Sequence, residues 1–243
     1  ESDSLGKKKV PSSAYYGIQT QRAIENFPIS GVMHAPEFLD SFIIIKKSAA
    51  KTNTKLKLLD KKLSSAIIKT SDEILSGKFR DQFVVDVFQM GAGTSFNMNC
   101  NEVIANRSNQ SLHRKLGSYD PIHPNDHVNM SQSTNDTFPT AIRLSILSSI
   151  PQLEQELKSL SYSFQSKSKQ FNKILKSART HLQDAVPITL GQEFKAYSIT
   201  INKCLQDIQH CKKQLFFLGI GGSAAGTGIN THPNYSKLMV REL

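Results

Sequence analysis

Apolar side chains recur at helical spacing through two long stretches in the second half of the chain. In the first stretch the spacing alternates between four and three residues, with Lys167 as a polar interruption: Leu153, Leu157, Leu160, Phe164, Phe171 and Ile174. In the second stretch it alternates between three and four: Phe194, Tyr197, Ile201, Cys204, Ile208, Cys211, Leu215 and Leu218. Such seams predict two long antiparallel helices packed side by side at shallow angles. Pro151 lies inside the first pattern and predicts a kink or an interruption, because an interior proline costs about 3 kcal/mol.

The first half of the chain alternates between helical and irregular patterns. A helical pattern begins at Pro36, and a second one follows Asp60, whose side chain is a suitable N-cap. Gly77 is a suitable stop for this second helix, because glycine readily adopts the left-handed conformation in which many helices end. These segments predict two helices in the N-terminal part of the chain.

The remaining segments complete the prediction of the fold. Residues 1–35 carry turn residues without periodicity, which predicts irregular structure, and residues 79–93 indicate extended chain that leads into a tight glycine turn. A short helix is expected at residues 94–108. The sequence therefore predicts a mainly α fold with almost no sheet. A mostly helical N-terminal domain is expected at residues 1–136, and the first part of a central bundle of long helices at residues 137–243.

Length and cysteine content restrict the class of protein. With 243 residues the chain can bury a substantial core, and its longest apolar runs are far shorter than the ~20 residues of a membrane span. Its first ten residues lack the hydrophobic core of a secretory signal. The three cysteines have no C-x-x-C spacing, which favours reduced thiols. We therefore expect a cytoplasmic protein that does not associate with a membrane.

The formal net charge of +10 raises the question of a nucleic-acid partner. The lysines are scattered along predicted helices, and no RGG, RNP-like or zinc-finger pattern is present among them. A charge of this kind informs on solubility more than on function. We therefore expect no nucleic-acid partner.

The densest polar stretch is "HPNDHVNMSQSTND", residues 123–136, which contains no glycine, lysine or arginine. A helical pattern begins directly after it, and Asp136 or Thr137 would cap that helix. Three small polar residues are therefore placed just ahead of a helix N-terminus: Ser133, Thr134 and Asn135. The free N–H groups and the dipole of the helix favour an anion there. A plain helix cap is the alternative, but a cap needs only one or two such residues, so a carboxylate site is favoured.

Two more polar clusters are candidates for substrate binding. In "GAGTSFNMNCNE" the glycines allow a ligand to approach backbone N–H groups closely, and Thr94 and Ser95 add hydroxyls. This segment is not a P-loop, because the G-x-x-x-x-G-K-[ST] pattern is absent. In "ARTHLQDAVPITLGQEF", Thr180 and His181 precede a predicted turn and helix. A lone histidine is more often structural than catalytic, so only its polar neighbours make His181 a candidate.

Two further patterns support weaker hypotheses. The segment "GIGGSAAGTGINT" is slightly similar to a dinucleotide fingerprint, but it follows a helical seam rather than a strand, which argues against that function. His123 and His127 flank Asp126 and have a spacing that would suit zinc on a helix. Pro124 indicates a loop instead, and no H-E-x-x-H pattern is present. We therefore expect no metal site.

Five segments, in this order, resemble those of the aspartase/fumarase superfamily of homotetrameric lyases: "VPSSAYYGIQTQRAIENFPISG", "GAGTSFNMNCNEVIANRS", "HPNDHVNMSQSTNDTFPTAIRL", "RTHLQDAVPITLGQEFKAYS" and "GGSAAGTGINT". Within the superfamily the resemblance is closest to the aspartate ammonia-lyases. Tyr16, Ser95 and Thr134 match the aspartase forms "YYG", "GAGTS" and "QSTND", whereas "QTQR" at residues 19–22 is closer to the fumarases.

The resemblance implies a cofactor-independent enzyme that converts L-aspartate to fumarate and ammonia. Members of the superfamily remove a proton next to a carboxylate and expel ammonia or water from the resulting aci-carboxylate. The resemblance implies that substrate is bound by Thr94, Ser95, Ser133, Thr134, Asn135 and Thr180. It also implies a catalytic role for His181 and a peripheral anion site at His123, Asn125 and Asp126. The expected partners are a small dicarboxylate or amino-acid substrate and further copies of the chain, in a homotetramer with shared active sites.

Three features depart from the pattern of the superfamily. Ala178 replaces the glycine usual before "RTH", and the local turn would be strained if that position needed a positive φ. Phe96 is bulkier than the usual small residue, so an altered pocket wall is a hypothesis. A third signature, a loop of the G-S-S-x-M-P-x-K-x-N type, is absent from these 243 residues. The resemblance assigns to that loop the catalytic serine base and a lysine that grips a carboxylate, so we expect residues 1–243 alone to be inactive.

Two alternative functions remain open. A class II fumarase, which interconverts malate and fumarate, would be distinguished by assays with aspartate and malate. A truncated noncatalytic paralogue would be distinguished by the length of the encoded gene.

Overall fold

The computed structural model describes residues 1–243 and consists mainly of α-helices. The seven helices are α1 (Ile18–Asn26), α2 (Pro36–Lys55), α3 (Lys61–Leu75), α4 (Thr94–Ser111), α5 (Thr134–Gln170), α6 (Leu190–Gln214) and α7 (Tyr235–Glu242). Two antiparallel pairs of strands complete the regular structure: β1 (Ser2–Asp3) with β2 (Gly6–Lys7), and β3 (Leu175–Thr180) with β4 (Gln183–Thr189). The predicted mainly α fold is therefore confirmed. None of the helices combines the length and apolar composition that a membrane span requires.

The chain divides into two compact units, residues 1–145 together with 218–243, and residues 146–217. In the first unit, α2 packs against α3, α7 and α4, and α3 also packs against α4. The core of this unit contains fully buried side chains from these helices: Phe42, Ile43, Ile45, Ile67, Val103 and Ile104. The second unit contains the greater part of α5, the β3–β4 hairpin and α6.

The helix boundaries predicted at Asp60 and Gly77 are confirmed. The Asp60 carboxylate accepts hydrogen bonds from the backbone nitrogens of Lys62 at 2.8 Å and Leu63 at 3.2 Å, and so caps α3. Gly77 follows the end of α3 with a φ of +99°, a conformation that costs glycine little. These boundaries depend on local chemistry, which the sequence displays directly.

The prediction that residues 1–35 are irregular is wrong, because they contain the β1–β2 hairpin and α1. No side chain next to α1 caps its N-terminus. Instead, the Glu102 carboxylate of α4 accepts hydrogen bonds from the backbone nitrogens of Gly17 at 2.9 Å, Gln19 at 2.9 Å and Thr20 at 3.0 Å. A carboxylate in this position stabilises a helix N-terminus. The local sequence pattern could not reveal α1, because Glu102 is 85 positions away from Gly17.

Two other predicted segments differ from the structure. The stretch at residues 79–93 is not simply extended, because Arg80–Gln82 form a 3-10 turn. The helix expected at residues 94–108 is α4, which is longer and continues to Ser111. Its C-terminal part is held by Asn109, whose side chain donates to the backbone oxygen of Ile122 at 2.8 Å instead of competing for the helix backbone.

The second unit confirms the prediction of two long antiparallel helices. Glu154 near the start of this part of α5 lies 3.6 Å from Lys212 near the end of α6. Further along α5, the hydroxyl of Ser161 lies 3.0 Å from the hydroxyl of Ser198, which is nearer the start of α6. The partners on α6 therefore fall in number as those on α5 rise.

The exact positions in the two seams were predicted only in part. Several predicted members are exposed: Leu153, Leu160, Tyr197, Cys204 and Cys211. In the parts of the two helices that belong to the second unit, the buried positions are instead Ile150, Ser161, Gly191, Ser198 and Leu205. The small serines allow a close approach in which each hydroxyl bonds the other residue's backbone oxygen, at 3.3 and 3.2 Å. The contact line therefore passes through polar positions that an apolar pattern cannot identify.

Of the kink or interruption predicted at Pro151, the interruption does not occur, because α5 runs without a break through this position, and the kink stays a prediction. A proline removes the hydrogen bond to the carbonyl four residues back. The 37-residue helix nevertheless includes this position.

Candidate active site

The N-terminus of α5 is closed by a reciprocal pair of hydrogen bonds. The Ser133 hydroxyl accepts from the backbone nitrogen of Asn135 at 3.2 Å, and the Asp136 carboxylate accepts from the backbone nitrogen of Ser133 at 2.9 Å. This is similar to a capping box, with an aspartate in the place of the usual glutamate and with the hydroxyl accepting from the second instead of the third helical residue. The prediction of Asp136 or Thr137 as the cap is therefore wrong. Ser133 lies just ahead of the helix as expected, whereas Thr134 and Asn135 belong to its first turn.

The glycine-rich segment 219–231 lies directly against this first turn. The second carboxylate oxygen of Asp136 accepts from the backbone nitrogens of Gly221 at 3.1 Å and Ser223 at 2.9 Å. The Asn135 amide donates to the backbone oxygen of Ala224 at 2.8 Å. Burial raises the pKa of Asp136, and the three backbone N–H groups that it accepts from act against this rise. The segment is therefore part of the support of the α5 N-terminus, a role that the sequence did not indicate.

The N-terminus of α4 lies beside that of α5. Ala92 and Gly93 have φ values of +62° and +80°, which turn the chain sharply into α4. A Cβ atom on Gly93 would lie 2.0 Å from the Phe138 ring of α5, so only glycine allows this approach. Thr94 is then half-buried and Ser95 is buried at the start of α4. The dipoles of the two helix N-termini together favour an anion.

Lys46 of α2 links these two helix N-termini and was not identified from the sequence. Its side chain is fully buried, and its ammonium donates to the side-chain oxygens of Asn97 at 2.7 Å, Asn129 at 2.9 Å and Gln132 at 3.0 Å. Burial lowers the pKa of Lys46 from 10.5 to about 7. The signal in the sequence was a lysine on the buried stripe of α2, one helical turn after Phe42.

The candidate peripheral anion site forms a short helical turn rather than the predicted loop. Pro124–Val128 is a single turn of π-helix that begins after His123. The His123 Nδ1 atom accepts from the backbone nitrogens of Asn125 and Asp126, each at 3.3 Å. The side chains of Asn125 and Asp126 are exposed. The described chain contains no group of three histidine, cysteine, aspartate or glutamate residues that could hold a metal ion.

Thr180 and His181 lie in the second unit, at the turn of the β3–β4 hairpin. They precede a turn as predicted, but the helix predicted directly after it is wrong, because β4 follows the turn and α6 begins only at Leu190. Both side chains are exposed, and Leu182 beside them has a φ of +55°. The first unit contains the other candidate substrate-binding residues.

The two unusual residues noted in the sequence have clear positions. Ala178 is not among the residues with a positive φ, so the strain that a glycine-requiring turn would bring is absent. It lies at an irregularity in the pairing of β3 and β4, between Ser177 and Arg179. Phe96 is buried in the aromatic core, with its ring centroid 4.1 Å from that of His34. Phe96 and His34 both line a cavity of about 470 Å³.

The sequence model of the Lyase family matches residues 6–243, and the chain therefore belongs to this family. The match confirms the resemblance to the aspartase/fumarase superfamily that the motifs indicated. The relatives of the chain include proteins named aspartate ammonia-lyase and a protein named fumarate hydratase.

Among the curated relatives, an aspartate ammonia-lyase of Bacillus sp is 49% identical over 243 residues, which cover 100% of this chain and 52% of that protein. A class II fumarate hydratase of Halobacterium salinarum is 46% identical over 236 residues, which cover 97% of this chain and 50% of that protein. The crystal structure of a fumarate lyase:delta crystallin from Brucella melitensis, bound to cobalt, has a TM-score of 0.96 at 47% identity, and the match covers 100% of this chain and 53% of that chain. The chain thus spans about half the length of the curated relatives it matches.

Proposed function

We propose that the complete protein to which these residues belong is an aspartate ammonia-lyase, which converts L-aspartate to fumarate and ammonia. The observation that carries this proposal is the close approach of the N-termini of α4 and α5 at Gly93 and Phe138, with the hydroxyl residues Thr94, Ser95, Ser133 and Thr134 at the two helix starts. Relatives named aspartate ammonia-lyase at 47–49% identity support the choice of substrate.

The donors at the two helix N-termini suit the charge that develops in this reaction. Removal of a proton from the carbon next to a carboxylate sends the electron pair into that carboxylate, which becomes a doubly charged aci-carboxylate. Collapse of this intermediate re-forms the carboxylate and expels ammonia. Preorganised donors stabilise such an anion, and each is typically worth ~10²–10³ in rate. We assign this role to Thr94, Ser95, Ser133, Thr134 and Asn135.

The remaining assignments extend the proposal to the assembly. Thr180 and His181 contact the other end of the substrate, with His181 as a catalytic residue, and His123, Asn125 and Asp126 bind a peripheral anion. The protein is a cytoplasmic homotetramer with shared active sites. Exposed apolar side chains on the long helices support association between copies: Ile142, Ile146, Leu153, Leu160 and Ile199.

We also propose that residues 1–243 alone have no lyase activity. They contain no G-S-S-x-M-P-x-K-x-N segment, to which the superfamily resemblance assigns the serine base. General base catalysis is typically worth ~10²–10⁴ in rate, so bound substrate without a base would react too slowly to detect. Fumarate absorbance measured with a preparation of residues 1–243 and L-aspartate tests this, and activity equal to that of the complete protein would contradict it.

The test of the function is a substrate comparison on the complete gene product. Fumarate formation is measured with L-aspartate and with L-malate, and we expect kcat/KM to be higher for L-aspartate. A higher kcat/KM for L-malate would identify a fumarase instead. Activity with neither substrate would favour a noncatalytic paralogue.

A further inference from the structure

The fully buried ammonium of Lys46 is held by neutral partners alone. An ammonium group has three N–H donors, and each one is used by a side-chain amide oxygen, on Asn97, Asn129 and Gln132. No carboxylate is among these hydrogen-bond partners. The side chain also passes over the Phe42 ring, with Nζ 5.5 Å from the ring centroid.

The three partners belong to the two segments that carry the candidate substrate-binding residues. Asn97 is in the first turn of α4, three residues after Thr94. Gln132 directly precedes Ser133, and its amide donates to the backbone oxygen of Val128 at 2.9 Å. The Asn97 amide also donates to the Asn129 side-chain oxygen at 3.2 Å. A single network therefore ties α2, the start of α4 and the segment that enters α5.

A purely structural role would not require a charge at this position. Replacing buried charges with apolar residues of similar volume is often neutral or stabilising, because a buried charge loses its hydration. The titratable groups that face Lys46 from the other helices are Cys100 of α4 and Asp136 of α5. Burial raises the pKa of the Cys100 thiol, so Cys100 supplies no compensating charge. Of these two groups only Asp136 can offset the burial of the ammonium, and it is not among the hydrogen-bond partners of Lys46, so the charge contributes little to stability.

We propose that Lys46 is a positioning residue, whose ammonium fixes the spacing between the substrate-binding N-termini of α4 and α5. This inference rests on the proposed lyase function. A displacement of about 1 Å in such a site can cost ~10²-fold in rate. A neutral amine has only two N–H donors, so loss of the proton leaves one of the three amide oxygens without its partner. Correct spacing therefore depends on protonated Lys46.

The test is the pH profile of kcat/KM for L-aspartate, measured on the complete gene product and on its Asn129→Asp variant. This change places a carboxylate 2.9 Å from the ammonium and keeps the oxygen that accepts from Lys46 and Asn97. An opposite charge at this distance favours the protonated form. We expect the loss of kcat/KM with rising pH to move upward by at least one pH unit in Asn129→Asp. Asn26→Asp, at an exposed position of α1, is the control and should leave the profile unchanged.

A second pair of variants tests the positioning role directly. Lys46→Met should lower kcat/KM by roughly 10–100-fold, the scale expected for a misplaced site. Lys47→Met, on the next residue of α2, removes a lysine that pairs with Asp72 at 2.5 Å and should change kcat/KM less than twofold. Asn129→Asp keeps all three hydrogen bonds of the Lys46 ammonium and loses only the 3.3 Å donation from the Asn129 amide to the backbone oxygen of Gln132, so the test stands even if Lys46→Met does not fold.

The outcomes separate this inference from the proposed function. Wild-type protein inactive with both L-aspartate and L-malate would overturn the function and, with it, the positioning role. Wild-type protein active on L-aspartate, with identical pH profiles in Asn129→Asp and wild type, would overturn the role of Lys46 alone.

Discussion

Asp136 accepts a hydrogen bond from the backbone nitrogen of Ser133 at 2.9 Å and thereby closes the first turn of α5. The same carboxylate holds Gly221 and Ser223 through their backbone nitrogens. One buried side chain therefore joins the candidate substrate-binding turn to the glycine-rich segment behind it. The sequence motif "QSTND" thus combines candidate substrate-binding residues with the aspartate that supports them.

The Asp136→Asn variant tests this support. Its amide nitrogen would face backbone N–H donors where a carboxylate oxygen now accepts, so at least one charge-assisted hydrogen bond is lost and one N–H is left unpaired. We expect the free energy of unfolding to fall by about 1.5–3 kcal/mol, the scale for a hydrogen bond to a charged group. Denaturant unfolding measures the loss. Asp72→Asn, at an exposed ion pair, should cost less than about 1 kcal/mol, and equal losses in the two variants would contradict the account.

Gly93→Ala tests the close approach of α4 and α5. Gly93 has a φ of +80° and leaves no room for a Cβ beside the Phe138 ring. Gly77 also has a positive φ, +99°, but a Cβ there would have no neighbour within 4 Å. Gly77→Ala should therefore show only the backbone cost of about 1–2 kcal/mol. Gly93→Ala should cost more and should also lower kcat/KM, and thermal unfolding of the two variants compares these costs.

Helix ends could be predicted from the sequence only where the capping residue is local. Asp60 and Gly77 are local to their helix, whereas Glu102 is not local to the helix that it caps. Asp60 and Gly77 act on their own helix within a few residues, so their roles were predicted correctly. Glu102 caps α1 from a distant helix, and only the tertiary structure brings it to Gly17. Local patterns therefore predicted helices that begin and end by their own chemistry, and missed one that depends on a distant partner.

The candidate site could likewise be predicted from the sequence only in part. The polar residues at 94–95 and 133–135 stood out by composition, and the structure places both groups at adjoining helix N-termini. Lys46 did not stand out, because α2 has neighbouring lysines and only the buried stripe distinguishes one from another. The β3–β4 hairpin around His181 was missed because most side chains in its strands are exposed, so no alternation of buried and exposed residues marks them.

The pH dependence of stability tests the burial of Lys46 without any assay of activity. The pKa of Lys46 is about 7 in the folded protein and 10.5 as its ordinary value, which we take for the unfolded chain. Above pH 10.5 the amine is neutral in both states, and burial carries no charge penalty. As the pH falls toward 7 the unfolded chain gains a proton that the folded protein does not, so stability is lost, and below about pH 7 the loss is complete.

The expected result is a difference between wild type and Lys46→Met that changes with pH. Wild type should gain stability relative to the variant as the pH rises from about 7 to about 10. Because one pH unit of pKa displacement corresponds to about 1.4 kcal/mol, the full change is on the order of 5 kcal/mol. Denaturant unfolding at several pH values measures it. A difference that stays constant over this range would mean that the Lys46 pKa is not lowered by burial.

The central claim is that the N-termini of α4 and α5 bind the substrate carboxylate, and kcat/KM of the Asn135→Ala variant tests it most directly. The variant is made in the complete gene product, assayed with L-aspartate, and compared with Asn26→Ala at an exposed position of α1. We expect Asn135→Ala to lower kcat/KM by ~10²–10³, the scale for one preorganised donor. The Tm should fall only slightly, because the one hydrogen bond lost in the structure, from the Asn135 amide to the backbone oxygen of Ala224, is exposed. Asn26→Ala should retain wild-type kinetics. A kcat/KM within about twofold of wild type for Asn135→Ala, in a folded protein active on L-aspartate, would contradict the claim.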